Sequence, residues 1–454
     1  MMRTFMNRRD MLKRSGLGCG AIALQSLVTK PGFAMEAKPG HFTPKAKSVI
    51  WLFMHGGPSQ MDTFDPKPLL RERDGKKLPQ SFHNLKTSFT DVKTQKLMGS
   101  KFSFTRCGES GMEISDGFRH MQGCADDIAV IRSLHHEDFN HNPALWALNS
   151  GHNRGGRPSL GSWLSYGLGS ESENLPGFVV MTDGAMKAGA GIWGNGFLPA
   201  THQGTKLKES GAPISNLVPS MNAEKQRRMI DYMRQLNASN SNPELEARIS
   251  SYELAFRMQM AAPEALDISR ESRVTRALYG ENRFSQQCLT ARRLVERGVR
   301  MVQIYNGCAK NDEWDTHNKN HSRHERLMSN VDQGCAALIA DLKSRGMLED
   351  TLVIWCGEFG RTPTTEKRNG RDHNPYGFCG WMAGGGVKGG QVIGATDEFG
   401  FRAVEDKVHL HDFHATILKL MGLDHQTLSV NHNGLDMRLT DLHGNNDIYD
   451  RLVG

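Results

Sequence analysis

Histidines and carboxylates stand in this chain where apolar runs end. "VIWLFMHGGPSQMDTFD", Val49 to Asp65, closes a stretch of core-quality residues on His55 and follows it with Gly56, Gly57, Asp62 and Asp65. Asp315 and His317 lie in "NDEWDTHNKNH", Glu358 and Arg361 in "CGEFGRTP", and His373 in "GRDHNP". Imidazole nitrogen and carboxylate oxygen together form a donor set for a transition metal such as zinc, manganese or iron. The Asp-x-His spacing is weak evidence alone, because a single loop histidine is more often solvated or structural. The stronger signal is positional, since each residue follows or lies near the end of a β-rich run.

Those runs are Ser48–Met54, 127–134, 178–181, 299–305, Thr351–Cys356 and Phe378–Ala383. Helical patterns lie between several of them. One is "FSQQCLTARRLVERGVRMVQIY", whose apolar Leu289, Leu294 and Val295 precede Gly298 and a strand; another, "HERLMSNVDQGCAALIADLKSRG", stops near Gly346. This alternation predicts an α/β fold with a mostly parallel central sheet and helices on both faces. Ligand sites in such sheets lie beyond the carboxyl ends of the strands, so His55, Asp315, His317 and Glu358 are expected at one edge, with His373 nearby. A polar, Met- and Arg-rich segment at about 220–262, broken at "NASNSNPE", reads as a helical insertion.

At 454 residues and 38% hydrophobic content the chain can build a sizeable core. Its net charge of +7 is spread without basic blocks, which argues against nucleic-acid binding and suits an anionic or a neutral substrate. "NRRDMLKRSGLGCGAIALQSLV" places Arg8 and Arg9 before a short, weakly apolar run, and resembles a twin-arginine export signal covering residues 1–37. Cleavage is expected between Met35 and Lys38. The protein is therefore expected to leave through the twin-arginine machinery for the periplasm or the exterior, with no stable membrane span. Seven cysteines follow that segment, an odd number without a CxxC pair, so buried thiols are expected rather than a disulfide framework. No GxGxxG follows the first strand and no P-loop is present, which makes dinucleotide or nucleoside triphosphate binding a weak reading.

Four phrases, "HGGPSQMDTFDPKP", "GRPSLGSWLSYGLGS", "GEFGRTP" and "HDFHATIL", resemble an exported branch of the alkaline phosphatase and sulfatase-like superfamily, the domain of unknown function fifteen-oh-one. The resemblance extends over residues 45–454 and implies an alkaline phosphatase-like fold and a divalent metal, zinc foremost, with manganese, calcium or magnesium as alternatives. It maps the superfamily's metal-binding aspartate after the first strand onto His55 or Asp62. The Asp-His ligand pair resembles Asp315 and His317, and the "DHG" phrase resembles "EFG", with Glu358 keeping the carboxylate and Phe359 replacing the histidine. His373 matches the final histidine ligand. "HDFHATILKLMG" resembles scaffold, so Asp412, Thr416, His411 and His414 read as structural residues.

The departure lies at the nucleophile. Sulfatases carry C-x-P-x-R, whereas this chain reads "NHNPALWALNSG", with His141 at the nucleophile position and Leu145 at the arginine position. That argues against chemistry of the formylglycine type. Three readings of His141 stay open: a metal ligand or base serving a metal-activated water, a nucleophile in its own right, or a residue of a catalytically inactive site. Arg361 either binds an anion bidentately or pairs with Asp372 or Glu358. The implied function is a metal-dependent hydrolase of phosphate or sulfate esters acting on a small-molecule or glycan substrate. The alternative is a non-catalytic extracytoplasmic binding protein for anionic glycans.

Overall fold

Every residue of Ser48–Met54 (β1) is buried, and the side chains divide by parity. Ile50, Leu52 and Met54 enter one core, while Val49, Trp51 and Phe53 enter the other. A strand covered on both faces has no polar face to present, so it reads as an unbroken apolar run. The computed structural model describes residues 37–208, 222–237, 243–308, 313–367 and 369–454. The twin-arginine segment with Arg8 and Arg9 lies outside the described residues, as does most of the "NASNSNPE" break.

Eight further strands complete the central sheet: Ile128–His135 (β2), Phe178–Thr182 (β3), Thr205–Lys206 (β4), Met301–Asn306 (β5), Thr351–Cys356 (β6), Phe378–Ala383 (β7), Gln391–Ile393 (β8) and Val408–His409 (β9). Their spatial order is β8-β2-β7-β6-β1-β5-β3-β4, with β9 also paired to β2. β1 lies between β5 and β6, parallel to both, with Val49 opposite Met301 and Ser48 opposite Thr351. Only β7 runs the other way, antiparallel to β6 and β2. The carboxyl ends of β1, β2, β3, β5 and β6 therefore share an edge with the amino end of β7.

Helices cover both faces. Arg283–Val295 (α5) and Asn320–Ser344 (α6) pack Cys288, Leu289, Leu294, Val331 and Leu338 with Ile50 and Leu52. On the other face Leu160–Leu168 (α2) and Leu410–Leu420 (α7) pack Trp163, Leu164, Phe413 and Ile417 with Trp51. His141–Ser150 (α1) starts just beyond β2 and ends on Gly151, whose φ of 70° is the left-handed conformation that suits a glycine at a helix C-terminus. All six sequence-read strands are in this sheet, their ends moved by at most two residues. The α/β, mostly parallel architecture is as the sequence implied.

The segment read as a helical insertion contains the helices Ala223–Asn237 (α3) and Pro243–Leu266 (α4). It ends later than the expected 262 because Ala262 and Ala265 are core residues, and Arg293 of α5 donates to the carbonyls of Ala265 at 3.0 Å and Glu264 at 2.8 Å. The cysteines among the described residues, Cys107, Cys124, Cys288, Cys308, Cys335, Cys356 and Cys379, are free and buried. No helix among the described residues is long and apolar enough to cross a membrane.

Candidate metal centre

The turn after β1 is built around two glycines. Gly56 has φ of 113° and a Cβ there would stand 2.5 Å from the backbone nitrogen of Asp315; Gly57 has φ of 83° and would meet the Phe359 ring at 2.6 Å. Only glycine permits both the conformation and the approach. The backbone of His55 extends the pairing with β5, accepting the Trp314 amide on its carbonyl at 3.1 Å, and this fixes the segment that carries Asp315. Arg323 holds the same segment from α6 by donating to the carbonyls of Asp315 and Glu313, both at 2.8 Å.

Asp315 is the hub of the site. Its Oδ1 lies 2.9 Å from His317 Nε2, 3.2 Å from His373 Nε2 and 2.7 Å from a guanidinium nitrogen of Arg361. Its Oδ2 lies 3.0 Å from His141 Nε2 and 2.9 Å from Lys187 Nζ. Burial opposes ionisation of this carboxyl, but the charge of the Arg361 guanidinium beside it outweighs that and holds Asp315 far below the usual carboxylate range. Ligand atoms of His141, Asp315, His317 and His373 all lie within 4.8 Å of one another.

The far nitrogen of each imidazole is anchored. His141 Nδ1 lies 2.7 Å from Glu358 Oε1, His317 Nδ1 pairs with Glu366, and His373 Nδ1 lies 2.7 Å from the Phe139 carbonyl oxygen. Ionised carboxylates and carbonyls can only accept, so these partners place the proton on each Nδ1 and leave each Nε2 as a lone pair. His317 Nε2 and His373 Nε2 then face each other at 3.0 Å, and His141 Nε2 is buried without a hydrogen-bond partner among the described residues although Asp315 Oδ2 is close. Lone pairs so placed repel one another unless a cation or proton lies among them. Three nitrogens and a carboxylate oxygen, with each ring oriented by an outer acceptor, fit a zinc-type ion; calcium and magnesium, which take oxygen ligands, fit less well.

Charge argues the same way. Burial works against protonation of His141, but the Asp315 and Glu358 carboxylates on its two sides raise its pKa, so the gap between Nε2 and Asp315 draws positive charge, a proton or a metal ion. Burial, assisted by Arg361 and His141, brings His373 down to about 4 against the pull of Asp315, which keeps this imidazole neutral and able to ligate.

The remaining sequence candidates fall around this cluster. Glu358 orients His141 and accepts the Gly56 amide at 2.9 Å and 3.0 Å, so it stands one residue behind the ligand atoms. His55 is fully buried with Nδ1 3.1 Å from the Gly307 carbonyl oxygen; its ring is 6.2 Å from that of His141, and its Nε2 has no hydrogen-bond partner among the described residues. It lies beside the cluster rather than within it. Asp62 is not brought there: Ser59 at 2.6 Å, Asn320 at 2.9 Å and Arg371 at 3.0 Å hold its carboxylate in a buried network. Arg361 is fully buried, donating to Gly57 O, Gly56 O and Arg371 O besides Asp315. Its ion-pair partner is Asp315, in place of the expected Asp372 or Glu358, and its donors face the protein rather than an incoming anion. Phe359 packs against His141 and His373, ring centroids 5.0 Å and 4.5 Å away.

Two functional candidates went unread in the sequence. Glu366 gives no cue beyond being a carboxylate in the loop that leads to His373. Lys187 follows β3, where the strand-end rule would have found it. His414 and His411, expected to be structural, donate from Nε2 to the carbonyls of Leu148 at 2.7 Å and Gly151 at 2.8 Å.

Residues 46–449 match the model of a family described as a protein of unknown function, DUF1501. No curated protein matches the sequence. Similar solved structures include the lipoteichoic acid synthase LtaP from Listeria monocytogenes, with a TM-score of 0.39 and 8% identity over 92% of this chain and 80% of that one. They also include the PsFucS1 sulfatase from Pseudoalteromonas sp., with a TM-score of 0.36 and 14% identity over 88% and 73% of the two chains. The alkaline phosphatase from the Antarctic bacterium TAB5 has a TM-score of 0.35 and 12% identity over 84% and 99%. Likeness at this level lends no residue a role.

Proposed function

The chain belongs to the DUF1501 family of proteins of unknown function, and on that premise we propose that it is a divalent-metal-dependent hydrolase of phosphate or sulfate esters, its ion held by His141, Asp315, His317 and His373. The observation that carries this reading is the convergence of three Nε2 lone pairs on one carboxylate while every Nδ1 is tied behind. A bound divalent ion supplies Lewis acidity, which polarises an ester oxygen and makes water a better nucleophile near neutral pH. Arg361 keeps Asp315 ionised, and Glu358, Glu366 and the Phe139 carbonyl keep the imidazole protons away from the ligand atoms. With both nitrogens of His141 committed, its role is to hold the site rather than to attack phosphorus. Lys187, whose side chain is 30% exposed, supplies the cation that faces an incoming anionic group.

The same proposal makes residues 1–37 a twin-arginine signal and the mature protein an exported enzyme acting on a small-molecule or glycan ester.

Elemental analysis of protein purified without added metal, compared with His317→Ala, tests the metal centre. About one transition-metal ion per chain is expected in the parent, with a clear loss in the variant. A folded, metal-free parent that takes up no added zinc refutes it. Turnover of aryl phosphates and aryl sulfates by the loaded parent tests the chemistry; anionic glycan binding without turnover would favour the non-catalytic alternative.

A further inference from the structure

Building on this reading of the site, we infer that Phe89 is the platform for the organic part of the substrate, so that the preferred esters carry a ring with a flat apolar face, aryl or sugar-like. A single exposed apolar side chain is ordinary on a protein surface, and Phe89 is 64% exposed. What distinguishes it is where it stands. Its ring centroid lies 5.3 Å from that of His317 and 5.4 Å from that of His373, its plane steeply inclined to both at 81° and 72°. A largely exposed phenyl ring thus adjoins two of the four proposed ligands.

The loop beneath that ring is anchored to the site itself. One oxygen of the buried Asp372 carboxylate accepts the Phe89 amide at 2.8 Å, the Thr90 amide at 3.0 Å and the Thr90 hydroxyl at 3.0 Å, while the other accepts the His373 amide at 2.8 Å. The Phe139 carbonyl accepts both the Ser88 hydroxyl at 3.0 Å and His373 Nδ1 at 2.7 Å. The groups that fix His373 therefore fix the backbone of Phe89 and the residues on either side of it, so the segment that carries the ring is in place before any ligand arrives.

The charge distribution gives the ligand a direction. Lys187, partly exposed, and His141 meet Oδ2 of Asp315, whereas His317 and His373, the rings beside Phe89, meet Oδ1 together with Arg361, which is fully buried and turned to the protein. An anionic head on the Lys187 side and a ring on the Phe89 side match these two flanks. Aromatic faces take both aryl rings and the C–H face of saturated rings.

Calorimetric titration of the metal-loaded full chain with phenylphosphonate, cyclohexylphosphonate and methylphosphonate reads this directly, because none of the three requires turnover. The parent is expected to prefer the ring compounds, and Phe89→Ala to reduce that preference about tenfold, with Phe89→Trp retaining it. Loss for phenyl and cyclohexyl alike supports aryl and sugar-like esters; loss for phenyl alone supports aryl esters. An unchanged ring-to-methyl ratio in Phe89→Ala overturns the platform while leaving the ester site standing. Equal weakening for all three probes with a drop in metal content also overturns it, since Phe89 would then merely support the imidazoles. A metal-loaded parent that binds no phosphonate removes the ester reading itself, and this inference with it.

Discussion

Glu358→Gln removes a charge while keeping the shape of a fully buried side chain. Burial opposes the anion, yet the hydrogen bond and charge of His141 bring the Glu358 pKa down to about 2, so at neutral pH both oxygens accept. Oε1 takes His141 at 2.7 Å and the Gly56 amide at 2.9 Å. An amide oxygen in that position keeps both bonds and the tautomer but loses the charge that makes the imidazole a stronger donor to metal. An amide nitrogen there would force the His141 proton onto Nε2, against Asp315. Replacing such an outer partner lowers metal affinity about 10- to 100-fold, roughly 1.4–2.7 kcal/mol. The measurement is competition for zinc against a chromogenic chelator at pH 7, with Glu366→Gln as the matching test on His317 and thermal unfolding to confirm the fold. If both variants bind zinc within twofold of the parent, the outer acceptors do not orient metal ligands and the donor argument is wrong.

Lys187→Ala is expected to raise KM for anionic esters about tenfold with a smaller effect on kcat, and Lys187→Arg to retain part of the affinity; an unaltered KM would remove Lys187 from substrate binding. Gly56→Ala should lower stability by about 3 kcal/mol or more and abolish metal uptake, because its Cβ would press on backbone at 2.5 Å. Gly75→Ala, also at positive φ but with open space around it, should lose only about 1 kcal/mol, so equal losses in denaturant titrations would contradict the close-approach argument. His414 is fully buried and burial brings its pKa down to about 3, so the unfolded chain takes up this proton first. Its contribution is complete above pH 6.5 and falls away toward pH 3, by about 3 kcal/mol at pH 4, and His414→Phe should flatten that part of the stability curve; parallel curves for parent and variant would show the reverse.

Sequence made the strands legible because they are buried on both faces: an apolar run such as Val49–Met54 admits few other readings. It also made the edge legible, since polar residues directly after such runs had to collect there. It could not say which of them face each other. His55 lies at the correct edge, but its Nδ1 meets Gly307 and its ring stays outside the cluster. Asp62 falls on a short helix, Gln60–Thr63, and meets Arg371. Arg361 looked like an anion receptor until burial committed its donors to the glycine turn and Asp315. Lys187 and Asp315 are 128 positions apart and only the parallel pairing of β3 with β5 brings them to one place.

The single antiparallel strand explains how one loop supplies so much of the site. A parallel strand beside β6 would need a crossover back to the amino edge, and only residues after it would reach the site. Running antiparallel, β7 begins at the site edge, so the chain leaving β6 through Glu358 can remain there until Phe378. In that interval Gly360–Arg361 pairs with His373–Asn374, placing the guanidinium that supports Asp315 beside a proposed ligand, and the intervening turn contributes Glu366. The residues that follow β7 confirm the direction: a Cβ on Gly384 or Gly385 would press on Leu348 and Ala46, beyond the opposite ends of the parallel strands. Glu358, Arg361, Glu366 and His373 are thus close in space because reversing one strand makes their segment a loop at the edge of the candidate site.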